Sequence, residues 1–314
     1  MVDNKQQWKG WLYLLPALIL LGIFTFWPII NTVSMAFQDG YESLESAGGG
    51  VTYPFGIQNF IDVINYKNFQ NCLWNTVILC VITVPVSTLL ALLISVALNS
   101  IRVLNRFLQT VYFLPYVTNS IAIGMVFAMM FNVIGLQAGN WDNAISVGII
   151  NNLIQAFGGT PINWINAGST KVANMAVMVI YIVWNALPFK ILILLGGLQS
   201  INKQYYDAAK IDGANANTIL WRITVPLLSP MLAYVIITGF IGGFKEYTSI
   251  VGVFGENMGP AGNKDSLNTI VGFIYRQISS DKYGRASAAA LILFAIIFAV
   301  TLVNLYVSKK RVHY

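Results

Sequence analysis

"QYYDAAKIDGANANTILWRITVPLLSP", residues 204–230, is a polar stretch between two long uncharged runs, and it is too organised to be filler. Read as a helix, residues 204–212 place Tyr205, Ala208, Ala209 and Asp212 on one stripe at i, i+3, i+4 and i+7, with Asp207 and Lys210 off it. Alanines keep that helix thin enough to enter a cleft. Gly213 suits the left-handed position just past a helix end. Asn215 or Asn217 then N-caps a second short helix carrying Ile219, Leu220, Trp221 and Ile223, and Pro226 and Pro230 set the turn beyond it. A solvated linker needs none of this. A part that fits a partner's groove and transmits force needs all of it.

The surroundings are apolar. The chain has 314 residues, 56% hydrophobic and 10% charged, with a mean hydropathy of +0.66. A soluble globular domain carries about 25% charged residues. Leu12–Phe37, Asn68–Ile101, Phe107–Trp141, Ile223–Phe244 and Ala286–Ser308 hold no charge, and Val172–Phe189 continues past one lysine through Ile191–Asn202. Each run is close to or beyond the roughly 20 residues that span a bilayer as a helix. Lipid offers backbone amides no partner, so each must be helical. The expected fold is therefore an all-α membrane protein, a single polytopic domain over 1–314. Its six spans lie near 11–37, 72–99, 107–133, 172–200, 223–254 and 286–308, with 203–226 as the loop between the fourth and fifth. The first run follows Lys5 and Lys9 as a signal peptide would. It is far longer than an h-region of about 7–15 residues and no clear cleavage site follows, so it reads as a permanent span.

With six spans the termini share a side, and that side carries Lys5, Lys9, Arg102, Arg106, Lys203, Lys210, Arg222, Lys309, Lys310 and Arg311. The opposite, longer loops hold Lys67, Lys171, Lys264, Arg276, Lys282 and Arg285. The ten-to-six bias makes both termini and the 203–226 loop cytoplasmic, although Arg285, hard against the last span, argues the other way. The net charge of +6 follows from this bias and from anionic lipid, and calls for no nucleic acid. Cys72 and Cys80 read as small core residues. Among the outer segments, 38–67 reads as a flexible loop and 255–284 as another. In 134–170, Ile149, Leu153 and Phe157, with Ile150 and Ile154, recur at helical spacing, which implies a short amphipathic helix that either packs back or offers a docking face. Gly239 and Gly243, backed by Gly242, form a small-xxx-small pair where a neighbouring helix can approach.

Reactive groups are scarce. The one histidine, His313, sits in the basic tail, and no HExxH, CxxC, GxSxG or GxxxxGK[ST] is present. The sequence offers no catalytic constellation and no metal-ligand cluster. Three charges fall inside the spans: Lys190 in the fourth, Lys245 and Glu246 in the fifth. An intramembrane charge costs at least about 2.5–3.5 kcal/mol at mid-depth, so it marks a polar path or a buried pair. Two readings stand. In one, Lys190 bridges Glu246 and Lys245 snorkels to the interface. In the other the three line a translocation path, together with Trp184, Asn185 and Phe189 around Pro188, where aromatic faces and hydrogen-bonding groups suit a sugar ring.

The stretch "YYDAAKIDGANANTILWRITVP" resembles the EAA motif of membrane subunits of type I ATP-binding-cassette importers: Glu-Ala-Ala, three residues, Gly, nine residues, Ile-x-Leu-Pro. Asp207, Ala208, Ala209, Gly213, Ile223, Val225 and Pro226 occupy those places with the spacing intact, Asp standing for Glu and Val for Leu. "DGA" at Asp212–Ala214, "LGGLQSI" at Leu195–Ile201, "INWI" at Ile162–Ile165, "WNALPF" at Trp184–Phe189 and "NMGP" at Asn257–Pro260 are more narrowly similar to the carbohydrate-uptake branch, related to the maltose and glycerol-phosphate permeases. The resemblance covers essentially all six spans.

It implies a permease working by alternating access, paired with a second permease or a copy of itself. Two cytoplasmic ATPase subunits would hold ATP and Mg, so this chain would bind no cofactor, and an extracytoplasmic solute-binding protein would deliver the sugar. Tyr205, Asp207, Ala208, Ala209, Asp212, Gly213, Ala214, Trp221, Ile223 and Pro226 would couple to the ATPase. The sugar path would run past Trp184, Asn185, Phe189 and Lys190, and past Gly243, Phe244, Lys245, Glu246 and Tyr247. The alternatives are a stand-alone secondary carrier or channel, against which the structured loop and the lack of an inverted repeat speak, and a membrane enzyme, which no residue supports.

Overall fold

The computed structural model describes residues 7–42, 52–101, 105–134 and 147–311. Within them the chain is helical with no strand; Gln38 and Phe55 form one isolated bridge. The helices are α1 (Trp8–Ala36), α2 (Gln58–Asn65), α3 (Lys67–Ser100), α4 (Asn105–Val117), α5 (Ser120–Phe131), α6 (Gly148–Ala156), α7 (Lys171–Ser200), α8 (Lys203–Ile211), α9 (Ala216–Leu227), α10 (Ser229–Phe244), α11 (Thr248–Phe254), α12 (Ile270–Ser279) and α13 (Tyr283–Arg311). Four of them, α1, α3, α7 and α13, are long and apolar enough to cross a membrane, and the bent pairs α4–α5 and α9–α10 raise the number to six if each pair is one span. The chain divides into two compact units, Met1–Gln70 with Phe273–Phe294, and Asn71–Gly272 with Ala295–Tyr314.

In the first unit, α1 exposes its apolar side chains along nearly its whole length and contains a π-helical turn at Gly22–Phe26. Beyond it, the described part of 38–67 is not a flexible loop. The buried Asn59 amide donates to Ala36 O (3.2 Å) and Gln38 O (2.7 Å), and its Oδ1 accepts from Gly40 N. Asp39 Oδ1 caps α2 by accepting from Gln58 N at 2.8 Å. The start of α13 joins the same knot. Gly284 N donates to Tyr41 O at 3.0 Å, and a Cβ on Gly284 would lie 2.7 Å from Asn59 Nδ2. Arg285, whose charge seemed to oppose the orientation, pairs with Asp62 at 2.8 Å.

The second unit holds two apolar clusters. Ala91, Leu92 and Leu98 of α3 pack on Ile191, Leu194, Leu195 and Leu198 of α7 and on Leu228 and Val235. Leu79, Phe131, Val177, Met178, Tyr181, Ile250 and Val253 form the other. Segment 255–284 is more than a loop: it turns through Gly255–Asn257 and enters α12, stitched to α3 where Asn75 Nδ2 donates to Ser266 O (3.0 Å) and Asn268 O (2.9 Å). Helix α6 forms where the 3.6-residue pattern places it, but Ile149, Leu153 and Phe157 face outward, Phe157 at 91% exposure. Its inner face is polar: Asn151 holds Ile162 N and O and the Trp164 indole N–H. Ile150 packs on the Leu79–Tyr181 cluster as the packing reading has it, whereas Ile149, Leu153 and Phe157 are left uncovered among the described residues.

Two runs read as continuous are broken. The α4–α5 pair bends by 104° and the α9–α10 pair by 71°. At the first break Thr118 Oγ1 donates to Pro115 O, and Asn119 Oδ1 accepts from Ile121 N, so polar side chains cover the freed backbone groups. Charge-free composition reports apolarity and cannot see such a cap in advance.

Helices α5 and α11 touch through glycine. A Cβ on Gly124 would lie 2.7 Å from Gly252 Cα and 2.8 Å from its carbonyl carbon. Because the obstacle is backbone, Gly124→Leu should force the helices apart at a cost of about 1–3 kcal/mol or more. The thermal midpoint of the detergent-solubilised protein should fall; an unchanged midpoint contradicts this crossing.

Candidate functional site

Helix α8 is the sequence's thin helix in place. Asn202 N-caps it, its side chain accepting from Gln204 N at 3.0 Å. Ala214 N reaches back to Ala209 O at 2.9 Å and Gly213 N to Lys210 O, while Gly213 takes φ +75°, the left-handed C′ conformation that glycine adopts without strain. Asn215, rather than Asn217, caps α9 by accepting from Thr218 N at 2.8 Å. The predicted stripe divides: Ala209 is buried against the protein, whereas Tyr205, Ala208 and Asp212 are exposed, as are Asp207 off the stripe and Trp221 on α9. Ile211, 86% exposed at the end of α8, was not among the expected contacts; an isoleucine off the alanine stripe was the only signal. Thr224 is buried and its hydroxyl contacts the Tyr206 hydroxyl at 3.5 Å, tying α8 to the lead into α10. The outer face of α8 is thus unpartnered and its inner face fixed.

The second place is a cavity of about 280 Å³ among α3, α4, α7 and α10. Of the expected path residues it gathers Asn185, Phe189, Lys190, Gly243 and Glu246. Trp184 packs instead on Phe127, with ring centroids 5.2 Å apart. Phe244 is buried, Lys245 is exposed outside the cavity, and Tyr247 packs against the α5–α7 cluster. Sequence reasoning missed Thr83, Ser87, Tyr116 and Thr238, which also line it. Tyr116 stacks on Phe189 at 5.7 Å and 19°, making an aromatic wall. A Thr83–Ser87 pair at i, i+4 on an otherwise greasy helix was a legible sign.

Lys190 does not bridge Glu246. Its ammonium donates to Val84 O (3.2 Å), Ser87 Oγ (2.7 Å) and Thr88 Oγ1 (2.9 Å), so its three protons are met by three neutral oxygens of α3. The glycines make room for this: a Cβ on Gly239 would lie 3.3 Å from Lys190 Nζ, and one on Gly243 only 2.7 Å from Cys80 Sγ. Glu246 serves the break between α10 and α11. Its Oε1 accepts from Tyr247 N and Ser249 N, both at 3.1 Å, and its carbonyl accepts from the Thr269 hydroxyl. Each charge the sequence flagged as a candidate partner for the other is held by a different set of groups.

Broken apolar helices surround a small cavity of mixed lining, with a rigid exposed helix on one connection, and the family to which they belong is one of multi-pass membrane transport components. The chain belongs to the family of binding-protein-dependent transport system inner membrane components, matching it over residues 84–313. It is 30% identical over 301 residues to the arabinooligosaccharides transport system permease protein AraP of Bacillus subtilis, covering 95% of this chain and 88% of the relative. It is 26% identical over 308 residues to the lactose transport system permease protein LacF of Rhizobium radiobacter, covering 96% and 95%. In fold it is similar to a chain of a bacterial alginate ABC transporter solved in complex with an alginate-pentasaccharide-bound periplasmic protein. The TM-score is 0.75 at 20% identity, over 98% of this chain and 96% of that one.

Lys190 gives an asymmetric prediction. Ser87 and Thr88 also donate back to Thr83 O and Val84 O, so they keep partners when the lysine is gone. Lys190→Met should therefore leave the thermal midpoint nearly unchanged. The double change Ser87→Val, Thr88→Val leaves the ammonium with Val84 O alone and should cost about 1–3 kcal/mol. The reverse order of midpoints contradicts this account.

Proposed function

We propose that this chain is one of two permease subunits of an ATP-driven importer that moves a sugar across the cytoplasmic membrane. It acts as a single polytopic permease domain of six spans with both termini in the cytoplasm. The fifth is bent at Leu228 and interrupted at 245–247. Helix α8 enters a cleft on a cytoplasmic ATPase subunit, two of which hold ATP and Mg, and an extracytoplasmic binding protein delivers the solute. The observation that carries this reading is α8 itself. It is an alanine-lined helix capped at both ends, with Ala209 turned inward, Tyr205, Ala208 and Asp212 turned outward, and Gly213 in a left-handed conformation at its end.

ATP-driven closure of the ATPase pair moves α8. Thr224, Ile223 and Pro226 pass that motion to α10 as a rigid link. The two ends of the fifth span then shift against α3 and α7, and the cavity opens to one side and then the other. A sugar suits the cavity because it offers an aromatic wall, Tyr116 on Phe189, beside the Asn185 amide and the Thr83 and Thr238 hydroxyls. The named relatives carry arabinooligosaccharides and lactose, which supports the solute class. Since the Lys190 ammonium is already met by α3, it does not attract the solute.

Gly213→Val tests the coupling. A β-branched residue at φ +75° is strained by about 1–3 kcal/mol, which distorts the end of α8. Membrane level should match wild type on an immunoblot, while solute-stimulated ATPase activity of the assembled importer falls about tenfold or more, since 1.4 kcal/mol is a factor of ten. Full stimulated activity in that variant contradicts the proposal.

A further inference from the structure

The first unit has a concavity of its own. It is a cleft of about 530 Å³ between α2 and the α12–α13 turn. We infer that this cleft, lined by Asp62, Gln277, Ser280, Lys282 and Arg285, is where the binding protein docks, by inserting a polar loop that presents an acidic side chain to Lys282. The inference rests on the importer reading, which puts α2 and the α12–α13 turn on the extracytoplasmic side.

The cleft is built and braced. Its two walls come from opposite ends of the chain, and Asn59, Gly284 and the Asp62–Arg285 pair lock them together. An outer loop with no task has no reason to be tied at so many points. The floor is apolar and closed: Val63 and Phe273 are 1% and 3% exposed, and Tyr66 and Phe69 pack on the Phe273 ring at 6.0 and 5.3 Å. The rim is polar, with the amides of Gln58, Asn65 and Gln277 and the hydroxyl of Ser280. Such a lining repels an acyl chain and welcomes a hydrogen-bonding loop.

Charge selects the sign of that loop. The Asp62 carboxylate is used on both oxygens: Gln58 Nε2 donates to Oδ1 and Arg285 Nη2 to Oδ2, each at 2.8 Å. The Gln58 hydrogen bond and the Arg285 guanidinium hold that carboxyl below the usual range, against partial desolvation, so it stays ionised and paired with Arg285. One carboxylate against two cations leaves the cleft at +1, and the unspent charge is Lys282, which has no carboxylate partner among the described residues. A partner's acidic side chain complements it and speeds encounter.

The test uses the purified importer, with its ATPase subunits, and the purified binding protein of the same importer loaded with its sugar. The readout is the binding-protein concentration that half-maximally stimulates ATP hydrolysis. Lys282→Glu should raise that concentration about tenfold at low salt and flatten or invert its salt dependence. Basal and maximal hydrolysis should be unchanged. Ser280→Trp, at an exposed turn position, fills the cleft without touching the Asp62–Arg285 pair and should raise it several-fold at all salt concentrations. Should Lys282→Glu disturb assembly, Ser280→Trp alone decides. Wild-type half-maximal concentrations in the assembled variants overturn the docking site while leaving the importer reading intact. A wild-type chain that assembles with no ATPase overturns both.

Discussion

A bilayer interior supplies no hydrogen-bond partners, and that constraint shapes this protein where a helix stops inside an apolar run. A soluble protein can leave a helix end to water. Here side chains close two of the breaks. Asn119 closes the start of α5, Glu246 the start of α11, and the Thr269 hydroxyl takes the Glu246 carbonyl. The interruptions are what turn a set of apolar rods into a structure with a cavity. A continuous fifth helix from 229 to 254 would carry neither the Lys245–Tyr247 break nor the carboxylate that sits in it. The same rule explains Lys190, whose ammonium is tolerated because α3 offers three oxygens at the depth where it ends.

Packing between the helices follows a related logic. Lipid is as apolar as leucine, so hydrophobicity alone does not draw apolar helices together; close approach and polar links do. Gly124 on Gly252, Gly243 on Cys80 and Gly239 beside Lys190 supply the approach. Ser95 to Ile191 O, Cys80 to Phe240 O and the Lys190 contacts supply the links. These contacts place α3 against both α7 and α10, and the cavity is the space they leave beside Tyr116 and Phe189. The functional cavity and the packing scheme are one arrangement.

Much of this was legible in the sequence, and the rest was hidden for identifiable reasons. The apolar runs announced the helices, and the spacing around Asp207, Gly213 and Pro226 announced α8, its break and its link, because propensity and capping are local. The bend at Thr118–Asn119 was not legible, since nothing in a charge-free run distinguishes a cap from a pore-lining amide. The pairing of Lys190 with Glu246 was the natural guess from two opposite charges in neighbouring spans. It failed because hydroxyls on a third helix lay closer, and relative helix rotation is not written in any one segment. Segment 38–67 looked loose because its glycines and polar residues read as loop, whereas Asn59 gathers three backbone groups at the end of α1 and just beyond it. Those three groups belong to one stretch, 36–40, about twenty residues back along the chain, so the residue is recognisable only once the chain is folded.

The claim on which the rest hangs is that α8 contacts an ATPase through its outer face. Single cysteines placed at Ala208, exposed, and at Ala209, 7% exposed, can be joined to nearby lysines by a short thiol-to-amine crosslinker in membranes holding the whole importer. The native Cys72 and Cys80 are buried and provide the background control. The account predicts that Ala208→Cys links to a soluble ATP-binding subunit and that Ala209→Cys does not. An absence of any link from Ala208→Cys, or equal linking from both positions, contradicts it.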